Sequence, residues 1–150
     1  MNRFVHALVL AAAMLPALAA HSAPTDLDTG FGGSGDRLDP FVTAGLVSRV
    51  DGRALAVSSD QFTYIVGSAN GGATLEDGFL GVLNMNGSIA TQINGSGFAL
   101  FPQARFEDLL LLPDGTVLVC GLSYSSQTDH RWMVARFNAN LTLDASFAGQ

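Results

Sequence analysis

Lysine is absent: all seven basic residues of this 150-residue chain are Arg, against 13 Asp and Glu, for a net charge of −6. A charge this sparse and one-sided excludes a nucleic-acid surface, which needs a basic patch to neutralise phosphates. It likewise excludes electrostatic adsorption to an anionic membrane. Cysteine occurs once, so neither an intrachain disulfide nor a multi-Cys zinc site is available. No helical 3.6-residue periodicity persists after residue 23. What is present is apolar: 48% of residues are hydrophobic and 17 are Gly. That is too apolar for a disordered chain, and the Gly lacks a collagen period. The length supports one modest domain.

The one long apolar run lies at the N-terminus and has the three parts of a secretory signal peptide. Arg3 supplies the basic n-region, residues 7–15 the apolar h-region, and Pro16 the helix break. Ala17-Leu18-Ala19 is an A-x-A cleavage signal, giving a signal peptide over 1–19; Ala20-His21-Ser22 gives an alternative end at 22. A membrane anchor fits less well, because residues 4–20 are broken by His6 and Pro16 and sit at the lower limit of a span. The expected destination is secreted, periplasmic or cell-surface, with no membrane insertion after cleavage. Losing Arg3 leaves six Arg against 13 acids, a charge of −7.

Residues 20–150 repeat themselves. The run Phe62-Thr63-Tyr64-Ile65-Val66-Gly67 and the run Thr116-Val117-Leu118-Val119-Cys120-Gly121 end on glycines 54 residues apart. The same offset carries Leu55 to Leu109, Asp60 to Asp114, Asn84 to Asn138 and Asn86 to Asn140, without a gap from 55 to 91. Leu27-Asp28-Thr29-Gly30-Phe31 resembles Leu143-Asp144-Ala145-Ser146-Phe147. The boundaries read as one unit over 27–88, a second over 89–142, and the opening of a third. Within each unit short β-rich runs are bounded by turn signals, clearest at Asp114-Gly115. A period near 50 residues, with four short strands per unit, predicts an all-β chain of tandem antiparallel blades, a partial propeller, behind the signal helix.

Leu27-Asp28-Thr29-Gly30-Phe31-Gly32-Gly33-Ser34-Gly35, Leu112-Pro113-Asp114-Gly115 with its apolar strand to Gly121, and Val134-Ala135-Arg136-Phe137-Asn138 before Leu143 together resemble the delta-60 repeat of bacterial secreted and surface proteins. The first unit departs from that pattern: Ser59-Asp60-Gln61 replaces Pro-Asp-Gly, and Val82 stands opposite Arg136. The resemblance implies tandem blades in long arrays, with no shared catalytic residues. Two units cannot close a ring of four to eight blades. The chain is therefore expected to be a piece of a longer array, or a homo-oligomer closing a ring between copies. Its expected partners are an unknown ligand or further repeats of the same kind.

The remaining motifs have plain structural readings. Gly30 to Gly35 satisfies G-x-G-x-x-G, but a nucleotide site needs a strand before and a helix after, and Pro40 is expected to stop any helix. Asp26, Asp28 and Asp36 lack the closing Glu of a calcium loop. Gly121-Leu122-Ser123-Tyr124-Ser125 lacks the last Gly of a nucleophile elbow, and His130 follows Asp129 directly, so the two point to opposite strand faces. Cys120, within an apolar strand, is expected to be a small buried hydrophobe. The pairs Glu76-Asp77 and Glu107-Asp108 suggest a glycosidase only if two carboxyls meet in a cleft. Phe62, Phe79, Trp132 and Phe137 suggest sugar stacking but more often fill a core, leaving Trp132 as the residue to test. Arg136 is expected to pair with Asp144 or Asp114. Asn86, Asn94 and Asn140 begin N-x-S/T sequons that read as turns. No residue is assigned as catalytic, cofactor-binding or metal-binding, and no cofactor is expected. The primary reading is a non-catalytic binding or scaffold protein; an extracellular carbohydrate-active enzyme and a lectin-like oligomeric propeller are the alternatives.

Overall fold

A computed structural model describes residues 27–38, 40–45, 47–69, 76–126 and 128–147. The expected signal segment and Asp26 lie outside these residues. One helical turn, α1 (Pro40–Thr43), precedes seven strands: β1 (Val50–Val57), β2 (Thr63–Ala69), β3 (Asp77–Leu83), β4 (Phe98–Phe101), β5 (Ala104–Leu111), β6 (Val117–Tyr124) and β7 (His130–Phe137). They form two antiparallel sheets, a first of order β1-β2-β3-β4 and a second of order β5-β6-β7. Apart from that helical turn the described residues are all-β, as the short β-rich runs between turn signals predict. Pro40 corrects one expectation. It begins the short helix instead of preventing it, because proline's fixed φ and missing N–H suit the first helical position.

The 54-residue offset holds down to single hydrogen bonds. In β1 the ladder slips between Gly52 and Ala54, and in β5 between Phe106 and Asp108. Opposite each bulge stands the glycine that closes the apolar run. A Cβ on Gly67 would lie 1.9 Å from the Asp51 carbonyl oxygen, and one on Gly121 would lie 2.0 Å from that of Arg105. The turn after β3 is closed by Asn84 and Ser88, and the turn after β7 by Asn138 and Thr142. Bridges Leu83–Ile89 and Phe137–Leu143 then repeat at the same spacing. Sequence unit and sheet are out of phase, however. Phe98–Phe101 follows the unit boundary at 88/89 yet hydrogen-bonds to β3 of the first sheet.

The hairpin turns show where the two units differ. In the second, the Gly115 amide donates to the Leu112 carbonyl with φ at 82°; in the first, Gln61 donates to Ser58 with φ at 64°. A side chain in the left-handed region costs about 1–2 kcal/mol that glycine avoids. Gln61→Gly is therefore expected to raise stability by roughly 0.5–1 kcal/mol, net of glycine's extra unfolded-state entropy. An unchanged or lowered urea midpoint would contradict this.

The second sheet lies face-on against the first, β5 packing across β1, β2 and β3. Between them sits the main core: Tyr64, Val66, Leu80 and Val82 from the first sheet against Phe106, Val117, Val119, Ala135 and Phe137 from the second. Phe106 is fully buried, its ring 6.1 Å from that of Phe101 and 5.8 Å from that of Phe137. It fits because Gly78 leaves room, as a Cβ there would meet the ring at 2.8 Å. The far face of the first sheet is covered too. Phe41, Val47 and Phe31 from the segment before β1 close over Phe79, Leu83 and Ile65. Phe41 stacks edge-on to Phe79 at 4.9 Å.

Candidate functional site

The two sheets therefore differ in what covers them. In the first sheet, Ala54, Tyr64, Val66, Leu80 and Val82 face the second sheet and form part of the core. The same offset gives Asp108, Leu118, Cys120, Val134 and Arg136 in the second sheet, together with Leu110 and Trp132. None of these belongs to the main core. Trp132 is 82% exposed, Leu110 58% and Val134 44%, and Cys120 is exposed. Cys120 thus corrects the expectation of burial. Its counterpart Val66 is buried only because a second sheet lies upon it, and among the described residues nothing lies upon Cys120. A shallow hollow on this face is lined by Asp108, Leu110, Leu118, Cys120 and Val134.

The β7 side of this face also ends in an open edge. In the first sheet β4 pairs with residues 78–81 of β3, but among the described residues no strand pairs with residues 132–135 of β7. A groove of about 510 Å³ runs there, lined by Phe101, Met133, Val134, Ala135, Leu143 and Phe147 among others. Arg136 closes one end. Its Nε and Nη2 donate to Asp144 Oδ2 at 2.7 and 2.6 Å, and its guanidinium lies 5.0 Å over the Phe147 ring. This is one of the two pairings expected. In the first unit the same two positions are Val82 and Ala90, both fully buried, so an apolar contact there replaces the ion pair.

Hydrogen bonds from the Ser146 hydroxyl and amide, then the pairing with Arg136, hold the Asp144 carboxyl below its usual range. Asp114 is lowered chiefly by the Thr116 hydroxyl and amide, and Asp129 by the Ser125 hydroxyl and Arg131. A carboxyl lowered in the folded state contributes stability that is present above the unfolded value near 3.9 and lost as pH falls through the folded value. The urea midpoint is thus expected to hold from neutrality down to about pH 5 and to fall below about pH 4. Asp144→Asn should flatten part of that acid limb. An acid limb as steep as that of the unaltered protein would show that these contacts carry none of it.

Glu76 and Glu107 both stand near Arg105 and Tyr124. Glu107 is held by Arg105 at 2.7 Å and Arg53 at 3.6 Å, whereas Asp108 receives the Leu109 amide and is exposed. Asp77 receives the Gln103 amide, and Glu76 lines a small hollow with Arg49, Asp51 and Ser68. Another cleft, of about 540 Å³, lies between the two hairpin turns, with Asp60 and Asp114 on its walls. Tyr64 also lines it, its phenol raised above the usual value by burial and then by Asp60. The aromatic set is split: Phe62 packs against the core that holds Phe137. Phe79 and Phe137 are buried in different cores, leaving Trp132 exposed on the open face. His130 begins β7 with its ring 4.8 Å from that of Tyr124. Asp28 and Asp36 are engaged by Gly30 and Ser34 within their own turn. Among the described residues there is no group of three His, Cys, Asp or Glu placed to hold a metal, and no helix long and apolar enough to cross a membrane. Asn86 and Asn140 stand in turns, their side-chain oxygens receiving Ser88 and Thr142, and Asn94 stands in a turn at φ 58°.

Among the described residues, seven strands in two stacked antiparallel sheets, a repeated bulge register and almost no helix fit partial β-propeller blades. Residues 112–147, from the end of β5 through β7, match the family described as Domain of unknown function (DUF5122) beta-propeller. No curated protein and no solved structure matches the chain. Sequence reasoning did not mark the open face and edge of the second sheet. The available signal was the offset itself, which makes Leu118, Cys120 and Val134 counterparts of covered residues.

Proposed function

We propose that this chain is an exported, non-catalytic repeat protein of the delta-60 kind, whose work is to dock further β-blades and so act as a scaffold. One observation carries the reading: the open face of the second sheet repeats, position for position, the first-sheet face that the second sheet already covers. Exposed Leu110, Trp132, Val134 and Cys120 on one sheet face, with Asp108 and Arg136 beside them, mark an interaction surface. A further blade suits it better than a second whole copy, because in such a copy the complementary far face of the first sheet is already covered by Phe31, Phe41 and Val47. Export rests on the N-terminal pattern, and the exported protein is expected to begin at Ala20.

The test extends the chain at its C-terminus with a second copy of residues 97–150, its copied cysteine replaced by serine, which continues the repeat in phase. Maleimide labelling of Cys120 is expected to slow at least about tenfold as a docked blade buries the thiol. Equal labelling of the extended and original chains, with both folded by circular dichroism, would overturn the reading.

A further inference from the structure

We propose that the outer edge of β7 is a strand-acceptor site, taking an extended apolar segment patterned like Gly97-Phe98-Ala99-Leu100-Phe101. The inference deepens the blade-docking reading by naming the segment that the second sheet receives. It begins from a ladder that the chain itself displays. In the first sheet, residues 78–81 pair with Phe98–Phe101, and the Val82 amide donates to the Gly97 carbonyl at 2.8 Å. The Val82 carbonyl faces the same way, receiving the Ala90 amide at 2.9 Å. In the second sheet the Arg136 carbonyl receives the Asp144 amide at 2.8 Å, so this position has the same orientation as Val82. Backbone groups alternate sides along an antiparallel strand, so those of Val134 and Trp132 also point to the open edge. They are the counterparts of the groups on Leu80 and Gly78 that meet Ala99 and Phe101.

The side chains agree with the backbone. The groove beside this edge, about 510 Å³, is bounded by Met133, Val134 and Ala135 on one side and by Leu143, Ala145 and Phe147 on the other. Its walls suit apolar side chains, and its one charged corner is already closed by Arg136 on Asp144. Addition of a strand to an exposed sheet edge draws affinity from main-chain hydrogen bonds and selectivity from alternate side chains. In the register of the first sheet, the Phe101-like residue falls opposite Trp132, the sole Trp of the chain. That makes Trp132 a reporter at the site.

The full chain is titrated with a synthetic peptide carrying residues 96–103 and a solubilising pair of arginines, reading Trp132 emission. A saturable blue shift is expected. A peptide N-methylated at the Ala99 and Phe101 positions, which face β7, should bind roughly tenfold more weakly or worse, because it loses two ladder hydrogen bonds. One methylated at the Phe98 and Leu100 positions, which face away, should bind like the parent. No saturable shift, or equal loss with either methylated peptide, would overturn the proposal. So would concentration-dependent dimerisation that the peptide leaves unchanged, since the edge would then be pairing with a second copy. Failure of the peptide together with protection of Cys120 in the extended chain would reject the acceptor site and leave blade docking standing.

Discussion

Phe106→Ala is expected to cost about 3–5 kcal/mol, the range for emptying a buried aromatic site. The ring is fully buried between Phe101 and Phe137 and lies against the bare backbone of Gly78. It belongs to the second sheet, yet much of its surface is covered by the first. Its removal should therefore loosen both sheets in one step. Urea unfolding followed by near-ultraviolet and by far-ultraviolet circular dichroism should give coincident transitions, shifted together. A loss under about 1 kcal/mol would mean that the core between the sheets collapses around the void, contrary to the tight packing described.

Gly67→Ala and Gly121→Ala are expected to have the next largest effect, and nearly the same one. In each case the new Cβ would fall about 2 Å from a backbone carbonyl oxygen across the bulge, at Asp51 or Arg105. A backbone atom has no rotamer to move to, so the ladder must open locally. Overpacking of this kind costs about 1–3 kcal/mol and occasionally more. Because β1–β2 and β5–β6 share the same slipped register, the two losses should agree within about 0.5 kcal/mol, as separate sites in equivalent surroundings. A large loss at one glycine and none at the other would show that the bulges differ in solution. Two small losses would show that both can relax.

These glycines also explain how much of the fold could be read from the chain. Gly67 and Gly121 are visible as the ends of two apolar runs, and at each the bulge opposite brings a carbonyl oxygen where a Cβ would stand. Turn residues such as Asn84 and Asn138, and the pairing of Arg136 with Asp144, are equally local and equally legible. Three features were not. Phe98–Phe101 is a short run among turn residues, and only its ladder with β3 shows which sheet it joins. The cover that Phe31, Phe41 and Val47 give the first sheet is non-local, so no periodicity announces it. The exposure of Cys120 depends on whether another sheet lies above it, which its own strand cannot encode. The candidate site was hidden for the same reason: an apolar strand reads alike whether its neighbour is present or not.

The turn that follows β3 holds a final consequence. At Gly87, a Cβ would lie 3.3 Å from the Phe31 ring, whereas the equivalent residue of the second unit is Leu141, itself buried at positive φ. One socket borrows its plug from an upstream loop, and the other carries its own. The first sheet is thus sealed on its far face by the chain that precedes it, whereas the outer face of the second is left bare among the described residues.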